Sequence, residues 1–139
     1  MKKYIVIAAT LLIVFSTAFA IHYDIINTRI GIGAQATAYG PDRDTIYKIS
    51  LESQYVPPQR IDTCEVTEPA PGYYETSFVN ITIVDQNNYM TLVNKNYSVQ
   101  GQLNDELTIS SPSAAPLITI TNSSSSTGYV DVVITADEF

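Results

Sequence analysis

The chain has 139 residues, enough for one domain, and its seven basic against fourteen acidic residues give a formal charge of −7. Nucleic acid, which needs a basic face, is excluded as a partner on that balance. Cys64 is the only cysteine, which excludes an internal disulfide, and the only histidine, His22, sits beside the start of the first strand pattern, where it cannot serve a nucleophile inside the domain.

Residues 1–20 have the layout of a secretory signal. Lys2 and Lys3 form the basic start, residues 4–15 (YIVIAATLLIVF) are apolar, and Ala18-Phe19-Ala20 is the small-x-small pattern that a signal peptidase reads. Cleavage after Ala20 would leave five basic against fourteen acidic residues, a formal charge of −9, on an exported chain. The competing reading keeps the segment as a membrane-spanning or packing helix, at the short end of the spanning range of about 17–25 residues.

Residues 21–39 come next, and they dominate the pattern. Ile26, Thr28, Ile30, Ile32, Ala34, Ala36 and Ala38 fall on one side of an extended chain, thirteen residues from first to last. Strands usually run about 5–6 residues, so one strand this long is about twice what a small sheet needs. Before it, Ile21, Tyr23 and Ile25 alternate at odd positions, and the shift at Ile25-Ile26 predicts a β-bulge or a hinge.

Gly40-Pro41-Asp42-Arg43-Asp44 is a turn by composition. Tyr47, Ile49, Leu51, Ser53 and Tyr55 alternate along a second strand that Pro57-Pro58 ends. Asp62, Cys64 and Val66 fit one side of a short edge strand, and residues 68–72 form a loop. Residues 74–85 are the clearest internal strand, with Val79, Ile81 and Ile83 inward and Asn80 and Thr82 outward. Shorter strands are predicted over 89–93, 97–103 and 106–110, separated by turns at Asn94-Lys95-Asn96 and Asn104-Asp105. Residues 117–121 and 129–136 are then expected to pair as a hairpin across the NSSSSTG turn of 122–128.

No stretch after residue 20 carries a 3.6-residue period, and Val, Ile, Thr and Tyr prevail. Turn clusters recur every 8–15 residues. The expected fold is an all-β, single jelly-roll or immunoglobulin-like sandwich over 40–139, preceded by the long strand of 21–39.

The chemistry-bearing residues point away from catalysis. The carboxylate pairs Asp42/Asp44 and Asp105/Glu106 fall in predicted turns without the twelve-residue calcium-loop pattern, and Gly31-Ile32-Gly33 opens no helix that could hold a phosphate. No enzyme activity, catalytic residue, metal, cofactor or small-molecule substrate is expected. Asn80-Ile81-Thr82, Asn96-Tyr97-Ser98 and Asn122-Ser123-Ser124 match the N-glycosylation acceptor pattern, and all three asparagines are expected at accessible positions.

A long strand rich in small residues beside a chain terminus suits insertion into another subunit's sheet. Three isoleucines buried in such a groove, at about 1.5–3 kcal/mol each, would contribute about 5–9 kcal/mol before ordering costs. The Ala18-Phe19-Ala20 signal, the following Tyr23-Asp24, and the Ala/Gly-containing strand leading into an acidic, Tyr-rich β-domain resemble the archaeal bundling pilins. They are more distantly similar to the TasA-type biofilm-fibre proteins of bacteria. The resemblance implies subunits that polymerise head-to-tail by donor-strand complementation into extracellular filaments supporting adhesion or cell bundling. Carried over by position, Ile26, Ile30 and Ile32 are the knobs of the donor strand. The partners implied are identical subunits and neighbouring filaments. Two alternatives stay open: a type IV-like pilin or membrane-anchored β-domain that retains the N-terminal helix, and a monomeric secreted binding module for glycans or cations.

Overall fold

Ten strands follow one another without a helix among the residues described by the computed structural model, which are 21–59, 70–110 and 112–138. They are β1 (His22–Ile30), β2 (Gln35–Tyr39), β3 (Thr45–Ser53), β4 (Tyr55–Val56), β5 (Tyr73–Tyr74), β6 (Thr76–Val84), β7 (Thr91–Gln100), β8 (Gln102–Ile109), β9 (Leu117–Asn122) and β10 (Val130–Glu138). The signal-like segment, Cys64 and the edge strand expected around it lie outside the described residues.

The pairing is nested. β6 pairs with β7, β3 with β8, β2 with β9 and β1 with β10, all antiparallel, like one long ribbon folded back on itself. Two further pairings, β10 with β3 and β9 with β6, roll that ribbon into two four-stranded sheets. Their orders are β1-β10-β3-β8 (sheet A) and β2-β9-β6-β7 (sheet B), which is jelly-roll topology. The short β4–β5 ribbon stands apart, with Tyr55 and Tyr74 rings 5.0 Å between centroids.

Alternation explains the layers. In β3 the odd positions Tyr47, Ile49, Leu51 and Ser53 are buried, and in β6 Val79, Ile81 and Ile83 face them from the other sheet, as their period predicts. Ile118 and Ile120 of β9 and Val130, Val132, Ile134 and Ala136 of β10 complete the interior.

Several expectations are corrected. The alternation over residues 26–38 is not one strand: it breaks at residues 31–34, and its halves join opposite sheets. Gly33, at φ 74°, supplies a backbone conformation that other residues adopt at a cost. The Ala34 amide closes the turn onto the Gly31 carbonyl at 3.1 Å. Residues 21–39 are therefore no separate arm in this fold, since β1 and β2 give one edge strand to each sheet. The phase shift at Ile25-Ile26 is a genuine bulge, for the β1–β10 register slips between Asp24 and Ile26.

Asn94-Lys95-Asn96 is no turn either. β7 runs unbroken through it, because the Asn80 amide donates to both Asn94 and Asn96 Oδ1 at 2.8 Å, and Lys95 reaches Asp105 at 2.6 Å. The real turn is Gly101, at φ 92°, after which β8 continues straight through Asn104-Asp105. Finally, β9 and β10 form no hairpin. The serine turn between them crosses from sheet B to sheet A.

Candidate functional site: the seat of the N-terminal strand

The site is built where β1 lies along the outer edge of β10. Ile26 and Ile30 point into the sandwich, 8% and 3% exposed, and they belong to the single core cluster. The opposite face carries Asn27 and Arg29 toward solvent. Eight residues of β1 find partners on β10, from His22 opposite Asp137 to Ile30 opposite Val130.

Charge marks both ends of that ladder. Arg29 donates from Nε and Nη2 to the two Asp131 carboxylate oxygens at 2.8 and 3.1 Å, while its guanidinium lies 3.8 Å from the Tyr129 ring centre. A bidentate fork of this kind fixes direction as well as position. At the far end His22 Nδ1 lies 2.6 Å from Asp137 Oδ1, and Lys48 reaches the other oxygen at 3.2 Å. Those hydrogen bonds, His22's first, hold the Asp137 carboxyl below its ordinary range. A one-residue slip of β1 would break both end contacts and turn Ile26 and Ile30 outward.

Asn122 catches the inner end. Its side chain is 0% exposed, and its Nδ2 donates to the Ile30 carbonyl at 3.1 Å and the Gly128 carbonyl at 3.0 Å. Its backbone also brackets the turn: Gly33 N–H donates to the Asn122 carbonyl at 2.8 Å, and Asn122 N–H to the Ala34 carbonyl at 3.0 Å. One residue thus ties the end of β1, the hinge at residues 31–34 and the serine turn together.

The seven positions expected on one inward face scatter. Ile26 and Ile30 are in the core, Ala36 and Ala38 pack against it from sheet B, and Thr28 and Ala34 are exposed. Ile32 projects from the hinge at 50% exposure, so two isoleucines rather than three are buried on this side of the fold. Of the three acceptor asparagines, Asn96 is exposed and Asn80 half-buried, directly opposite each other on β7 and β6. Asn122, expected at an accessible turn, is interior, because its amide is spent on two buried carbonyls. The charged end contacts and the Asn122 catch were not anticipated. The signal available in sequence was the opposite sign of Arg29 and Asp131 on the first and last strands.

Among the described residues no three His, Cys, Asp or Glu side chains gather as they would around a metal ion. Asp105, placed in β8 rather than a turn, is bonded by Lys95 and Tyr97, which together depress its pKa.

No protein-family model and no curated protein sequence matches the chain. Solved structures do. The C-terminal domain of A223, a structural protein of the Sulfolobus turreted icosahedral virus, is 13% identical with a TM-score of 0.43, over 86% of this chain and 100% of that one. TmCBM61, solved with β-1,4-galactotriose, is 6% identical with a TM-score of 0.45, over 81% of this chain and 70% of that one. The carbohydrate-binding module CBM6cm-2 of Cellvibrio mixtus lichenase 5A is 8% identical with a TM-score of 0.37, over 88% of each chain. These are likenesses of β-sandwich fold, and the jelly roll itself stands on the strand order above.

Proposed function

We propose that this chain is a non-enzymatic structural subunit of an extracellular filament, assembled by exchange of its N-terminal strand between identical subunits. The observation that carries the reading is the seat of β1. It is an edge strand at one end of the ribbon, it buries two isoleucines, and it joins the rest through a glycine-containing hinge. Straightening residues 31–34 would restore the single alternation of residues 26–38 and send β1 away from its own sandwich. The seat it leaves along β10 is then filled by β1 of the next subunit, with the same register, the same Arg29–Asp131 fork and the same His22–Asp137 contact.

Exchange of an identical element adds few new contacts, so its balance depends on hinge strain and on local subunit concentration. Ile26 and Ile30 contribute about 3–6 kcal/mol to whichever seat they occupy, at about 1.5–3 kcal/mol for each fully buried side chain. Because the strand of each subunit enters the next, the contact is head-to-tail and propagates without closing. Secretion through the signal-like residues 1–20 supplies the extracellular setting in this reading.

A disulfide trap tests it. Asn27 and Val133 are opposite one another on β1 and β10, and both are exposed. In a Cys64→Ser background, Asn27→Cys with Val133→Cys is oxidised after assembly and run on a non-reducing denaturing gel. Strand exchange gives a ladder of covalently linked subunits. Exclusively monomeric bands from oxidised filaments, or the absence of filaments at any concentration, would overturn the proposal.

A further inference from the structure

The two outer faces of the sandwich differ in chemistry. Sheet A carries Arg29, Lys48, Glu52, Glu106, Asp131 and Asp137 outward. Sheet B has one charged residue in all four of its strands, Lys95, and that side chain is drawn across to Asp105 of β8. In a chain of formal charge −7, the outward face of sheet B is therefore uncharged.

What it presents instead is two rows of amides and hydroxyls. Gln35, Thr121, Asn80 and Asn96 stand side by side across β2, β9, β6 and β7. Thr37, Thr119, Thr82 and Asn94 form the adjacent row. Phe78, 43% exposed, interrupts this polar field with an aromatic ring. Next to it the serine turn folds over the sheet, held by the Ser123 amide donating to the Phe78 carbonyl at 2.8 Å and by the Phe78 amide donating to Ser126 Oγ at 2.8 Å. Turn and sheet enclose an open groove of about 870 Å3 whose lining includes Phe78, Asn80, Asn96, Ser98, Thr121 and Ser125. Sites for small ligands span about 300–1,000 Å3, so the volume suits an extended oligomer segment.

We propose that this groove is a binding site for a neutral polysaccharide. Sugar hydroxyls both donate and accept, and so do the Asn, Ser and Thr groups that line the groove. The absence of charge removes the desolvation cost that a charged side chain would impose on an uncharged ligand. Phe78 offers an apolar plate for the C–H face of a pyranose ring, the usual division of work between an aromatic body and polar surroundings. The polar groups are also held in place before any ligand arrives. Asn80 is locked by its two amide bonds, and Ser123 and Ser125 bond each other at 2.8 Å. Binding then costs less side-chain ordering. β1 contributes nothing to the groove, and of the hinge only Gly33 lines it, at the margin away from Phe78 and Asn96, whose variants carry the test below.

Biolayer interferometry tests the assignment, with tips coated in mannan, galactan, xylan or β-glucan, and alginate as the anionic comparison. The protein is made in a host without N-glycosylation, so that Asn80 and Asn96 carry plain amides. Binding is expected to at least one neutral polysaccharide and not to alginate. It should weaken at least tenfold in Phe78→Ala and separately in Asn96→Asp, with unchanged melting temperature, because both side chains are exposed. Asn96→Asp keeps the test decisive should Phe78→Ala fold poorly. No binding to any neutral polysaccharide, equal binding to alginate, or binding indifferent to a folded variant would each overturn the proposal.

Discussion

Asn122 is the sharpest place to test how this fold is held. In Asn122→Ala the Ile30 and Gly128 carbonyls lose their amide donor in a site closed to water. The Gly128 carbonyl keeps a second donor, Ser77 Oγ at 3.1 Å, so the cost falls chiefly on the Ile30 carbonyl, at about 1–3 kcal/mol for a buried acceptor that loses its partner. Part of that is offset, because Asn122 Oδ1 is itself buried without a hydrogen-bond partner among the described residues and disappears with the substitution. The expected net loss is about 1–2 kcal/mol. Urea unfolding followed by tyrosine fluorescence measures it as a lower midpoint at unchanged slope. Asn122→Asp keeps the shape but not the donor, and sets a carboxylate against two carbonyl oxygens. Burial and those neighbours raise that carboxyl's pKa in the folded state. Its stability is therefore greatest at acid pH, below the unfolded value, and is lost as pH rises through the raised folded value. An Asn122→Ala protein within 0.5 kcal/mol of wild type would refute the reasoning, since it would mean that water or a backbone shift satisfies the Ile30 carbonyl. In the exchange reading the same variant releases β1 more readily, so it should polymerise faster while being less stable as a monomer.

Other outcomes are equally direct. Tyr47 is 1% exposed, its hydroxyl has no hydrogen-bond partner among the described residues, and burial pushes its pKa up to about 12. Tyr47→Phe removes an unsatisfied group at little cost in shape and should stabilise the fold by about 1 kcal/mol at neutral pH. It should also flatten the alkaline limb, because a raised phenol gives stability that is present below pH 10 and lost as pH rises toward 12. At the acid end, Asp105 and Asp137 are held below their ordinary value of 3.8, the first chiefly by Lys95 and the second by His22. Their contribution is present above that value and disappears as pH falls through the depressed range, so the melting temperature should drop below about pH 4 and drop less in Asp105→Asn. Ile30→Asp, which places a carboxylate in the core, should abolish assembly and also lower subunit stability, as seen by thermal melts. Normal-length fibres from it under electron microscopy would count decisively against exchange of β1.

Much of the architecture is legible in the residues. The period of two in β3 and β6 assigns their inward faces correctly, and the shift at Ile25-Ile26 marks a real bulge. The errors share one cause: local composition was overruled by partners far along the chain. Asn94-Lys95-Asn96 looks like a turn, yet cross-strand bonds to Asn80 and Asp105 keep it extended. The alternation of small residues through 31–34 looks like strand, yet the hinge bonds with Asn122, some 90 residues later, bend it there. Nor can periodicity choose a strand's sheet. β9 and β10 alternate well, and only the nested pairing shows that they lie in different layers. Asn122 went unread for the same reason, since an acceptor tripeptide is visible in sequence whereas two buried carbonyls are not.

The nested pairing also sets an order of events in time. β6 and β7 meet across a short turn, whereas His22 and Asp137 are 115 positions apart. Closing long chain segments is entropically costly, so topologies rich in distant pairings fold slowly. The ribbon should therefore zip from its bend outward, with β1 docking last onto a sandwich that is otherwise complete. A half-finished subunit would spend that interval with the β10 edge vacant and β1 untethered. In the exchange reading, the choice between keeping its own strand and accepting a neighbour's is then kinetic, made during the last stage of folding rather than by breaking a finished molecule. Crowding newly folding chains together would favour the fibre, and diluting them would favour the closed subunit.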